Sequence, residues 1–248
     1  MKKQVLLLLP LSLVLFSCKK KEDNLRYELN LNNAYTAILD SDSTVKKVSI
    51  PKKHNGKDVT TISGFRNNSY IEEVTFTSNI TKIEDGSFMF CENLKKISVS
   101  NSNYYKTIDG SLYKDDYLLI YASGKNNNTF KIDKNIKSNA FTLAPNIKEL
   151  KIDSKIIEEN AIYFLENIET IYLGSSVENI SNSFQLGNKK LERLIINNTT
   201  ITPTLELKDI KRVYVLETAE LSDKFLENYE YKNTGTYENT SYKIYEVK

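Results

Sequence analysis

Chemistry needs side chains that can move protons, hold metals or attack, and this chain places few of them in useful company. His54 is the only histidine and sits in the polar turn PKKHNGKD ahead of a strand. One imidazole cannot supply a multi-histidine zinc site, so His54 reads as a solvated turn residue. The acidic pairs Glu72-Glu73 and Glu158-Glu159 raise the possibility of two-carboxylate acid/base work. Both fall at exposed slots of a repeating pattern, which makes them surface charge. DSDSTV, Asp40 to Val45, begins like a calcium loop with Asp40 and Asp42, but Val45 stands where the turn glycine belongs. Cys91 follows Phe90 on the inward side of its segment, where a thiol packs instead of reacting. The sequence contains no glycine-rich phosphate loop, HExxH or GxSxG. The expectation is a protein without a catalytic role, cofactor or metal.

Composition narrows the class further. With 40% apolar and 27% charged residues the chain is ordinary globular material. Its 8 glycines and 4 prolines are few, so turns must lean on Asn and Asp. A formal net charge of +2 gives no electrostatic footprint for nucleic acid, which is excluded as a partner.

The N-terminus differs from the rest. Met1, Lys2 and Lys3 form a positive start, and VLLLLPLSLVLF is an apolar run of twelve residues, shorter than the ~20 that span a bilayer. This is an export signal, residues 1–17. It ends in LFSC, which resembles a bacterial lipobox with Leu15, Ser17 and the lipid acceptor Cys18. Residues 18–26 are then a lipidated cysteine and its tether, and Lys21, Glu22 and Asp23 resemble a surface-export tag. Acyl chains contribute ~0.8 kcal/mol per buried methylene, so the implied membrane contact is through the anchor. With Cys18 acylated, Cys91 is the one remaining thiol and no intramolecular disulfide can form.

The elements that position everything else come from repetition. An apolar spacing of three then two recurs at Val45/Val48/Ile50, Ile71/Val74/Phe76, Leu94/Ile97/Val99, Ile147/Leu150/Ile152, Ile168/Ile171/Leu173, Leu191/Leu194/Ile196 and Ile210/Val213/Val215. First anchors lie 26, 23, 53, 21, 23 and 19 residues apart, so the period is about 23 and one interval hides an insertion. The pattern predicts a short strand preceded by a bend. Three buried side chains at ~1.5–3 kcal/mol each cannot offset ordering a whole copy at ~1.5 kcal/mol per residue. Copies must therefore stack, joining their strands in a parallel ladder.

Between the strands a second figure recurs as IEDGSFMFCENL, IKSNAFTLAPNI and IEENAIYFLENI. The isoleucine, the Phe88, Phe141 or Ile162 position, the small residue at Cys91 or Ala144 and the strand that follows resemble the BspA-like class of leucine-rich repeats of bacterial surface proteins. The resemblance covers roughly residues 27–218. It implies an α/β repeat solenoid. It also accounts for the long interval, since this class often carries an inserted hairpin, here near 100–132 on the Asp109-Gly110 turn. YELNLNNAYTAIL reads as an N-terminal hairpin cap. Residues 219–248, with a Ser222-capped helix in ELSDKFLENY and a strand in YKIYEV, read as the C-terminal cap.

On the open sheet face, residues flanking each middle anchor point outward. One column runs Lys47, Glu73, Lys96, Glu149, Thr170, Arg193, Arg212; its neighbour runs Ser49, Thr75, Ser98, Lys151, Tyr172, Ile195, Tyr214. The early members alternate in sign and read as structural. The later ones, Tyr172, Arg193, Ile195, Arg212 and Tyr214, form an aromatic-basic group of the kind enriched at interfaces, and are the candidate binding patch; the alternative is that they are β-favouring residues partly covered by the C-terminal cap. The resemblance implies a lipid-anchored protein of the bacterial envelope, facing the exterior from the outer membrane, that binds an extracellular protein or glycan in an adhesive role. The alternative is a periplasm-facing protein that uses the same sheet on an envelope partner.

Overall fold

The computed structural model describes residues 24–178, 180, 184–185, 191–199 and 210–248, with the backbone alone at 184, 185 and 224. The export signal and Cys18 lie outside the described residues. Three of the expected strands, Lys47–Ser49, Glu73–Thr77 and Lys96–Ser100, form a first parallel ladder that sets Val48 beside Val74 beside Ile97. A second parallel ladder takes Thr129–Ile132, Glu149–Ile152, Thr170–Leu173, Arg193–Ile196 and Arg212–Leu216. Its register aligns Leu150, Ile171, Leu194 and Val213, then Ile152, Leu173, Ile196 and Val215, all buried. All the anchors read from the sequence are buried except Val45 and Val99, which are half-buried. Thr129–Ile132 is a strand that the spacing misses. Phe130 and Ile132 align with Leu150 and Ile152, but Asn127 occupies the place of the first apolar anchor.

The expected α/β class is corrected. Among the described residues the one helix is Asp223–Asn228, near the C-terminus, where the Ser222 hydroxyl accepts the Phe225 amide at 3.3 Å. Three of the described segments between ladder strands cannot be helical, because each enters left-handed backbone twice. Gly86, Asn139 and Asn160 have φ of 71°, 60° and 54°; four residues later Phe90, Leu143 and Phe164 have 61°, 48° and 49°. A right-handed helix cannot run through such positions. The segments pair as minimal strands instead: Phe141–Thr142 with Ile162–Tyr163, and the latter with Phe184–Gln185, all parallel. Inside the first turns Phe65 stacks on Phe88 at 4.8 Å.

Asparagines stitch one turn to the next. The Asn93 side-chain amide donates to the Ser69 carbonyl at 2.7 Å, Asn146 to Lys125 at 2.9 Å and Asn167 to Pro145 at 2.7 Å. Asn68 does more, donating to the Ser43 carbonyl at 2.8 Å while its own oxygen accepts the Tyr70 and Ile71 amides. Each bond satisfies a backbone group that the bend between turns would otherwise leave open.

Between the ladders the chain makes a meander of Lys106–Ile108, Ser111–Lys114 and Tyr117–Ile120, the last pairing in parallel with Asn135–Ile136. The turn at Asp109 and Gly110 has positive φ at both residues, as a two-residue hairpin demands. The meander is packed into the stack, with Leu112 in the hydrophobic core of the first turns and Tyr113, Leu118 and Tyr121 in that of the later ones. Lys82–Ile83 pairs with Lys57–Ser63 on one side, and beyond its other side the Tyr105 hydroxyl donates to the Thr81 carbonyl at 3.2 Å. At the N-terminal end Leu25–Leu29 and Tyr35–Leu39 pair as an antiparallel hairpin. At the other end Tyr229–Tyr237 and Thr240–Val247 form a hairpin whose second strand runs antiparallel to Arg212–Leu216.

Candidate functional site

The isolated reactive groups settle into structural roles. Cys91 is buried, its thiol donates to the Phe65 carbonyl at 3.0 Å, and burial pushes its pKa up to about 12. A thiol held that far from ionisation is a packing group. His54 is not simply solvated: Tyr27 stacks on it at 3.9 Å and Tyr35 meets it edge-on at 5.0 Å. Glu72 lies between Lys46 and Lys95, each at 2.8 Å, and these hydrogen bonds hold its carboxyl down at about 2. Glu158 accepts from Lys137 at 2.7 Å and from the Ser138 amide at 3.1 Å. These acids join one turn to another. The Asp40 backbone carbonyl closes a turn by accepting the Ser43 amide at 3.0 Å, and among the described residues no group of three or more His, Cys, Asp or Glu side chains gathers as metal ligands do.

The face of the second ladder is where large polar and aromatic side chains converge. Strand pairing places Glu149, Thr170, Arg193 and Arg212 in one column and Lys151, Tyr172, Ile195 and Tyr214 in the next, as alternation predicts. What alternation does not predict is the C-terminal hairpin lying over this face. Tyr237, at the hairpin tip, stacks on Tyr172 with centroids 5.9 Å apart and donates its hydroxyl to Glu149. Lys151 pairs with Glu238 and points its ammonium at the Tyr237 ring, 5.4 Å from the centroid. Tyr242 reaches across from the next strand and donates to Asn197 at 3.1 Å.

The five candidate residues therefore divide. Tyr172, Arg193 and Tyr214 are half-buried and Arg212 is exposed. Ile195 has no accessible surface, and its expected outward exposure is corrected. Its neighbours Tyr172 and Tyr214, with the fully buried Tyr242 against the latter at 6.4 Å, roof it over, which is the placement an aliphatic side chain favours. Arg193 spends its Nε on the Thr170 hydroxyl at 3.1 Å, and Arg212 donates to Glu246 at 2.8 Å. Burial, followed by the nearby Tyr242 hydroxyl, pushes Tyr172 up to about 12, so it stays a neutral donor at physiological pH. Beside it an open hollow of about 520 Å³ is lined by Lys131, Asp133, Lys151, Asp153, Tyr172 and Glu238. Two lysines and three acids share the hollow with one aromatic wall and the isoleucines Ile132 and Ile152, a lining mainly of polar residues.

Partial cover by the C-terminal cap is the alternative the sequence offers; which residues supply it is not legible, because Tyr237 and Tyr242 are remote in the chain from what they cover. The only local trace is Asn239 in the two-residue turn, where Glu238 and Asn239 both take the positive φ that such a hairpin requires.

A family model described as BspA type leucine rich repeat region matches residues 16–120 and 121–206, in six copies. Among solved structures the chain is similar to a T. pallidum leucine-rich repeat protein at 13% identity, over 69% of this chain and 68% of that one, with a TM-score of 0.35. It is also similar to a leucine-rich cell surface protein of Faecalibacterium prausnitzii A2-165, at 14% identity over 72% and 89% of the two chains with a TM-score of 0.31. A third is a leucine-rich repeat protein of Bacteroides ovatus ATCC 8483, at 11% identity over 80% and 77% with a TM-score of 0.31. No curated protein matches the chain.

Proposed function

The chain belongs to the BspA-type leucine-rich repeat family, and from that premise we propose that it is a non-enzymatic recognition protein of the bacterial cell surface. In this reading Cys18 carries the lipid that holds it to the outer membrane, and the stack presents its second ladder to an extracellular protein or glycan. The observation that carries the reading is the gathering of Tyr172, Arg193, Arg212 and Tyr214 on one sheet face beside the hollow at Lys131 and Lys151. Aromatic and arginine side chains that keep part of their surface open are the ones from which protein interfaces draw most of their energy. Ile195 contributes from beneath by fixing the spacing of its two tyrosine neighbours.

The test uses the soluble chain from residue 24 onward, presented to an array of extracellular matrix proteins and glycans. Tyr172→Ala and Arg212→Ala should each weaken capture at least about tenfold, the scale of a hot-spot residue. Capture that both variants retain contradicts the reading. Protease treatment of intact cells tests the location separately: an outward-facing protein is cleaved, and one that faces the periplasm survives.

A further inference from the structure

A second surface lies on the turn ladder, away from the main sheet. Phe90, Tyr163 and Phe164 form an aromatic cluster there: Tyr163 and Phe164 meet edge-on at 4.3 Å and 89°, and Phe90 leans toward them at 6.0 and 6.5 Å with tilts of 54° and 52°. Phe164 is 37% exposed, and Phe90 and Tyr163 are half-buried. The Arg66 guanidinium sits 5.5 Å from the Phe90 centroid, and among the described residues no carboxylate pairs with it.

The residue types at this ridge are costly for the fold. Asn67, Phe90, Leu143 and Phe164 each stand two places after the buried ring or isoleucine of their turn, and all four have left-handed backbone. That conformation suits asparagine or glycine and costs a side chain such as phenylalanine roughly 1–2 kcal/mol. Only the first of the four has asparagine. The other three carry large apolar side chains left partly in water, although a smaller residue would serve the turn better. Backbone bonding fixes them in place: the Asn67 amide donates to Met89 at 2.9 Å, Phe90 to the Thr142 hydroxyl at 3.1 Å and Leu143 to Tyr163 at 3.4 Å.

We propose that Arg66, Phe90, Tyr163 and Phe164 form a docking site for an extended acidic segment of a partner protein. One large apolar side chain of that segment packs on the exposed side of the ring cluster, and a neighbouring carboxylate meets Arg66. Charge complementarity selects the acid, because the guanidinium is stacked on one face and keeps its edge donors for a ligand. Residue type selects a protein, because aromatic and arginine side chains are the ones enriched at protein interfaces. In an extended strand, side chains two positions apart share a face about 7 Å apart, so an acid and an apolar residue at that spacing face the guanidinium and the adjoining ring cluster together.

The probe is a fluorescent pentapeptide with aspartate and phenylalanine two positions apart, titrated into the chain from residue 24 onward while the ring resonances of Phe90, Tyr163 and Phe164 are followed. The parent peptide should shift all three rings. Asparagine in place of the peptide's aspartate should weaken binding about tenfold, the worth of one charge-assisted bond, and Arg66→Gln should erase that difference. Phe164→Asn should lose binding while melting at the same temperature or higher, since the substitution relieves left-handed strain. A purely structural cluster predicts the reverse, a lower melting point with peptide response unchanged. No ring response to the parent peptide overturns the proposal, as does equal response to all peptides. Response to an acidic oligosaccharide alone, or a dimer that Phe164→Asn dissolves, overturns it in favour of a glycan or a second copy.

Discussion

The two ladders share a spine and differ in what they show to solvent. On the first, Lys47 pairs with Glu73 at 2.8 Å, Lys96 follows in register, and the neighbouring column is Ser49, Thr75 and Ser98. Opposite charges cancel along the stack and the small hydroxyls offer little area to a partner. The second ladder carries Tyr172, Arg193, Arg212 and Tyr214, and the C-terminal hairpin closes over part of it. The aliphatic residues beneath are nearly interchangeable between the two. Stacking geometry is thus independent of the face, and recognition can change on one ladder without disturbing the other.

That independence can be broken from within. Leu150→Ala and Ile97→Ala each empty a fully buried middle-anchor site, one in each ladder, and each should cost about 2–5 kcal/mol in urea unfolding. If the turns form one cooperative stack, both variants shift a single transition. Two transitions, each sensitive to one variant, would mean that the meander separates two folding units, consistent with the division of the hydrophobic core on either side of it.

A smaller effect tests the asparagine stitching. Asn68→Ala leaves the Ser43 carbonyl and the Tyr70 and Ile71 amides without their partner, and should lower stability by about 1–3 kcal/mol. A change within error would reduce the stitching to a by-product of turn geometry.

The smallest concerns the charges of the first ladder. Glu72 is held at about 2 in the fold against an ordinary 4.5, so its stabilising contribution is complete above pH 4.5 and fades as pH falls toward 2. Melting temperature measured down that range should fall less steeply in Glu72→Gln than in the parent chain. Identical slopes would show that Lys46 and Lys95 do not act on Glu72 in solution.

Much of this was legible in the residues. The three-then-two spacing finds the anchors because each strand buries alternate side chains, and that rule acts within a few residues. Column order follows from the same rule, which is why Glu149, Thr170, Arg193 and Arg212 fall in one register. Thr129–Ile132 escapes because its bend carries a half-buried Asn127 where the other copies carry an apolar anchor. The missing helices escape because left-handed backbone at Phe90, Leu143 and Phe164 is a tertiary imposition that no local preference of those residues announces. Ile195 lies beneath Tyr172 and Tyr214, and the covering of those two by Tyr237 and Tyr242 is supplied only by the folded chain. The asparagines were in plain view, recurring before Leu94, Ile147 and Ile168, yet a reading that treats polar letters as free passes over them.

The most direct test is hydrogen exchange on the chain from residue 24 onward, with and without a ligand captured on the array. Ligand should slow exchange in Thr170–Leu173, Arg193–Ile196, Arg212–Leu216 and the tip joining Tyr237 to Thr240, and leave Lys47–Ser49 and Glu73–Thr77 unchanged. Protection confined to the first ladder, with the C-terminal hairpin untouched, would contradict the account.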